Sequence, residues 1–64
     1  MEAFQKRVAD EKTELDDKTK KLFAFFETSM FEHLPSDERS RLRVQGLLMK
    51  AYSEVLGQRI AKFI

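Results

Sequence analysis

The sequence predicts an all-α fold, an antiparallel two-helix hairpin assembling into a homo-oligomeric helical bundle. Three observations carry this. Apolar residues recur at intervals of three and four through both halves of the chain. Pro35, the only proline, interrupts that pattern near the middle. The chain has 64 residues and no cysteine, so a core this small has no disulfide to hold it; oligomerisation is the staple that remains.

Residues 1–64 form a single domain, with a helix over about 2–29, a turn over 30–36 and a second helix over about 37–63. Each helix is roughly 26 residues, or about 40 Å at the helical rise. In the first, Val8, Leu15 and Leu22 make one column of a heptad seam, and Phe4, Glu11, Lys18 and Phe25 are read as the other. Glu11 and Lys18 then interrupt the seam at its centre. Pro35 pushes the residue before it away from helical geometry. Ser36 is the expected N-cap of the second helix, with Asp37 and Glu38 in its first turn, where acids suit the helix dipole. Leu42, Met49, Leu56 and Phe63 form one column of that helix, and Gln45, Tyr52 and Arg59 are read as the second. A further apolar stripe runs along Val44, Leu48, Ala51 and Val55. Two stripes are wider than one partner helix covers, which is the sequence argument for self-assembly. Gly46 and Gly57 cost about 1 kcal/mol each relative to alanine inside a helix; close approach of another backbone is their expected use.

The charged fraction is 36% with a formal net charge of +1, a balance that argues against DNA or RNA as partner. No segment approaches the ~20 apolar residues that span a bilayer, and Met1–Phe4 does not open a signal peptide. The expected location is the cytoplasm. With one histidine (His33), no cysteine and no Glu-x-x-His pattern, no metal or other cofactor is implied. Catalysis is not expected, because no nucleophile stands beside a base.

Glu11, Lys18, Gln45, Tyr52 and Arg59 allow two readings. They are either registry devices in a polar seam, or the lining of a pocket in which cations hold phosphate, a ring stacks on a base and an amide reads a base edge. The basic residues near the turn (His33, Arg39, Arg41, Arg43) and the cluster Lys18, Lys20 and Lys21 beside Phe23, Phe25 and Phe26 are likewise either solvated faces or anion contacts.

Taken together, Glu11-Lys12, Leu15, Lys18, Lys21-Leu22, Phe25 or Phe26, Ser29, Phe31 and Leu34 resemble a group of small phage-encoded helical proteins. The match continues through Glu38, Leu42, Gln45, Met49, Tyr52-Ser53, Val55-Leu56 and Arg59-Ile60, almost the whole chain. In architecture the hairpin is similar, more remotely, to the sponges with which phages counter CBASS and Thoeris immunity. This resemblance implies a phage anti-defence protein acting in the infected host cell. It would be a homo-oligomer that captures a small anionic nucleotide ligand, a cyclic oligonucleotide or cyclic ADP-ribose type of signal, without turning it over. The candidate ligand-binding residues are Lys18, Lys21, Arg43 and Arg59 for phosphate, Tyr52 for stacking, and Gln45 and Glu11 for base or ribose. The competing function is a helical module that docks on and inhibits a host protein.

Overall fold

The computed structural model describes residues 2–63. It is all-α, with α1 at Ala3–Phe25, a one-turn α2 at Ser29–Glu32 and α3 at Ser36–Ala61. The two long helices pack antiparallel into a rod of 46 × 14 × 14 Å. None of the described helices is long and apolar enough to cross a membrane.

At the N-terminus of α1 the Glu2 backbone N–H donates to Gln5 Oε1 at 2.9 Å, satisfying one orphan amide. α1 stops at Phe25, four residues before the expected end. Thr28 explains why. Its hydroxyl donates to the Phe25 carbonyl at 2.7 Å and accepts from the Phe31 N–H at 3.3 Å. One side chain thus closes α1 and caps α2, so the segment expected as a plain turn holds a helical turn of its own. That turn delivers Phe31, 2% exposed, onto the rings of Phe25 (5.8 Å) and Phe26 (4.9 Å), sealing the closed end of the hairpin. α3 begins one residue earlier than expected: Pro35 is the extended cap residue and Ser36 is already helical, with no side-chain cap bond. Asp37 and Glu38 do lie in the first turn.

The seam between α1 and α3 differs from the expected one in half of its columns. Val8, Leu15 and Leu22 face Leu42, Met49 and Leu56, with Val8 and Leu56 buried. The second column of α1 is Gln5, Lys12, Thr19 and Phe26, all partly covered, rather than Phe4, Glu11, Lys18 and Phe25. On α3 it is Arg39, Gly46, Ser53 and Ile60, rather than Gln45, Tyr52 and Arg59, which are exposed. Small residues hold the middle of this column, at Gly46 and Ser53, because large groups enter it there from α1. A Cβ on Gly46 would stand 2.9 Å from Phe23 Cε1, and Lys12 Nζ reaches Ser53 Oγ at 2.8 Å. Gly46 therefore admits an aromatic ring, not a neighbouring backbone, and Gly57 meets nothing closer than Lys12 Cε at 3.5 Å. At the open end Phe4 packs edge-on to Phe63 at 5.7 Å, and this pair fixes the register together with Lys12–Ser53 and Phe23–Gly46.

Candidate functional site

Glu11 and Lys18 follow their buried column on α1 by three residues, and Gln45, Tyr52 and Arg59 do the same on α3. Equal offsets place both rows on the same angular side of their helices. Because the helices are antiparallel, the two rows meet on one face of the hairpin. The register sets Lys18 across from Tyr52 and Glu11 across from Arg59, each about a quarter-turn round its helix from the seam. Among the described residues no hydrogen bond or ion pair ties these side chains to one another. Lys18, Glu11 and Arg59 are exposed, Tyr52 is 46% exposed, and Gln45 touches only Met49 Sδ at 4.0 Å. The row thus has free cations, a free ring and a free amide in line. It is an open face with no walls.

Two other candidate residues fall elsewhere. Lys21 points away along the back of α1, where it pairs with Asp17 at 3.0 Å, both exposed. Arg43 lies on the opposite face. Its guanidinium rests on the rings of Phe31 (4.9 Å) and Phe26 (5.3 Å), a cation–π stack that belongs to the closed end of the hairpin. Among the other basic residues, Arg41 is held by Asp37 at 3.3 Å and Glu38 at 3.0 Å, which removes it from any anion site at that helix start. His33 Nδ1 contacts the Ser29 carbonyl at 2.6 Å and so finishes α2.

The opposite face carries two shallow depressions that sequence reasoning did not find. One, of about 380 Å³, is lined by Asp16, Thr19, Lys20, Phe23, Lys50 and Ser53. The other, of about 310 Å³, is lined by Phe23, Phe26, Glu27, Arg43 and Leu47. Phe23 is the ridge between them, with Lys50 Nζ 4.3 Å from its ring centre. Beside the first depression, Lys12 Nζ bridges Asp16 Oδ2 at 2.9 Å and Ser53 Oγ at 2.8 Å, and the Ser53 hydroxyl donates to Asp16 Oδ1. The hydrogen bond from Ser53, then that from Lys12, holds the Asp16 carboxyl below the ordinary value of 3.8. This lysine–serine–aspartate link is the one polar side-chain bond network joining α1 to α3 among the described residues. Its signal in the sequence was the heptad spacing of Lys12 and Ser53 from their buried neighbours.

α3 also leaves its far side uncovered. Val44, Leu47, Leu48 and Val55 are 51–65% exposed, directly opposite the seam that α1 covers.

Comparison with known proteins places the chain in one group. A family model described as Sequestin matches residues 2–62. No curated protein and no solved structure matches the chain.

Proposed function

The chain belongs to the Sequestin family, and on that premise we propose that it is a phage anti-defence sponge. It would bind a cyclic nucleotide immune signal, of the cyclic oligonucleotide or cyclic ADP-ribose type, and hold it without turnover in the cytoplasm of the infected host cell. The family's name suggests sequestration, which supports the binding role. The observation that carries the choice of ligand is the row Lys18, Gln45, Tyr52, Arg59 and Glu11, aligned on one face and, among the described residues, held by no hydrogen bond or ion pair except that of Gln45 to Met49 Sδ. An ammonium and a guanidinium suit phosphate, a half-exposed phenol ring suits a base face, and the amide and carboxylate suit a base edge or ribose hydroxyls. A row with no walls gives weak capture by one hairpin, so the sponge is a homo-oligomer in which another copy closes the site.

Native mass spectrometry against a panel of cyclic dinucleotides, cyclic trinucleotides and cyclic ADP-ribose isomers tests the reading. A fixed number of ligand masses per oligomer is expected. Tyr52→Ala and Lys18→Ala should each abolish capture while far-UV circular dichroism stays unchanged. Lys20→Ala and Lys50→Ala, on the opposite face, should leave capture intact. Loss of capture in the second pair alone would move the site to the depression around Phe23. An oligomer that ignored the whole panel would refute the sponge.

The uncovered stripe on α3 favours one other reading, a helical module that docks on and inhibits a host protein. It predicts a stable complex with a host protein and no small-molecule binding by the purified chain.

A further inference from the structure

The face opposite the ligand row carries a groove that neither the packing of the hairpin nor the proposed capture uses. Its two depressions lie in line between α1 and α3, with the Phe23 ring as the ridge between them. Their rims repeat at the same interval on both helices. On α1, Lys20 stands at the first depression and Glu27 at the second; on α3, Lys50 stands at the first and Arg43 at the second. Each step is seven residues, which is two helical turns or about 10 Å.

Three of these four corners are cations. Among the described residues, none of the three makes an ion pair. Asp16, at the edge of the first depression, is already answered by Lys12 and Ser53. Glu27 is therefore the one free carboxylate against three cations. Rings hold two of those cations in place. Lys50 Nζ lies 4.3 Å from the centre of Phe23, and the Arg43 guanidinium 4.9 Å from that of Phe31. A ring takes up one side of a cation and leaves N–H donors free on the other, so both groups meet a carboxylate with little further loss of side-chain freedom. Between the corners, Phe23, Phe26 and Leu47 supply apolar surface, with Leu47 64% exposed.

Shape and charge together choose the occupant. Small molecules bind where most of their surface is enclosed, and these depressions are shallow. A helix laid along the groove repeats at the same seven-residue interval as the rims. One apolar side chain then enters each depression, at i and i+7, and a small residue between them clears the Phe23 ring. The flanks of that helix face the four corners. Acids suit Lys20, Lys50 and Arg43, and a neutral or basic residue suits Glu27.

The geometry points to a second interaction surface: the groove over Phe23 docks an acidic amphipathic helix of another protein, anchored by apolar side chains at i and i+7. The surface lies away from Lys18 and Tyr52, so it does not rest on the sponge reading and stays open while the ligand row is filled.

Fluorescence anisotropy with a fluorescein-labelled helical peptide of about four turns tests this. The probe carries leucine at i and i+7, alanine at i+3 and i+4, and glutamate on both flanks. Saturable binding is expected, and replacing its glutamates by lysine should remove it. Lys20→Ala and Lys50→Ala should each weaken binding about three- to fivefold, as loss of one exposed ion pair does. Glu27→Lys should tighten it by a similar factor. Lys6→Ala, about 20 Å farther along α1 and already paired with Asp10, should leave it unchanged. Far-UV circular dichroism confirms that each variant keeps its helices. No binding of the glutamate probe overturns the proposal. Binding that ignores Lys20, Lys50 and Glu27 places the helix on another face, such as the uncovered stripe of α3, and overturns it too. Displacement of the probe by a member of the cyclic nucleotide panel would make the groove a nucleotide site. Loss of self-association in Lys20→Glu, read by sedimentation, would make a second copy its occupant. Either of these results also overturns the docking of another protein's helix.

Discussion

Replacing Gly46 by alanine tests the packing of the hairpin more sharply than any truncation. Alanine recovers about 1 kcal/mol of helix propensity over glycine at a helix interior. Against this stands the Phe23 ring, 2.9 Å and 3.1 Å from where the new methyl group would lie, with Phe26 at 3.5 Å behind it. Retreat of the ring is opposed by its edge contact with Phe26 at 5.1 Å and by the Lys50 ammonium 4.3 Å from its centre. Overpacking of this kind costs about 1–3 kcal/mol, so the net effect is a destabilisation of about 1 kcal/mol. Gly57→Ala is the matched control. Its methyl group would meet only the flexible Lys12 stem at ordinary contact distance, 3.5 Å. That variant gains close to the full ~1 kcal/mol of propensity. The two alanine variants should therefore differ by about 2 kcal/mol, and their melting temperatures by roughly 10 °C for a domain of this size. Thermal unfolding followed at 222 nm, at one protein concentration because association shifts apparent stability, measures the gap. Equal stabilisation by both substitutions would show that Phe23 does not occupy the space over Gly46, and the register drawn here would fall with it.

The polar link across the hairpin makes a pH prediction. Asp16 has a lowered pKa in the folded state, so the stability it contributes is present above the ordinary value of 3.8 and is lost as pH falls through the lowered one. Ser53→Ala removes the largest cause of the shift, so it should lower the melting temperature at neutral pH and flatten the acid limb of the stability profile. An unchanged acid limb would mean that Ser53 does not bond to Asp16. Phe31→Ala removes the plug at the closed end and should cost about 3–5 kcal/mol, enough to lose most of the helical signal at 25 °C; native-like melting would refute its central place. Thr28→Ala should cost about 1 kcal/mol through loss of the cap on α2, read as a lower midpoint in urea with little change in slope.

The two long helices and one column of each seam were legible from sequence, because Val8, Leu15 and Leu22, and Leu42, Met49 and Leu56, repeat every seven residues without a polar break. The second columns were not legible. Each column of a heptad has a neighbour on either side, and hydrophobicity alone chose the wrong one. Phe4 and Phe25 outweighed Gln5 and Thr19 in apolar character, and the Tyr52 ring outweighed Ser53 in apolar area, yet Gly46 and Ser53 are the residues that let α1 approach. Shape complementarity decided the seam, and residue-type hydrophobicity does not carry shape. The same mistake explains why the candidate ligand residues survived as a group. Glu11, Lys18, Gln45, Tyr52 and Arg59 were placed inside as one column per helix, and the structure moves both columns out together onto one face. Lys21 and Arg43 lacked that common offset and were separated, while Lys20 and Phe23, grouped by sequence as a basic–aromatic cluster, gave no signal that would have joined them to Lys50 and Ser53 across the seam.

If one groove is built by two chains, capture and assembly are thermodynamically linked. A ligand that binds only the dimer stabilises it by about 2.7 kcal/mol at a free concentration 100 times its dissociation constant. That corresponds to a fall of about 100-fold in the apparent dimer dissociation constant. A variant that trims the uncovered stripe of α3 without touching the ligand row, such as Val55→Ala, should then associate poorly alone and recover on addition of a saturating ligand from the panel. Sedimentation of the variant across a dilution series, with and without ligand, reads this directly. Recovery of the dimer shows that the ligand spans both chains. Capture that leaves the variant monomeric would place the whole site within one hairpin, and the uncovered stripe of α3 would then serve assembly alone.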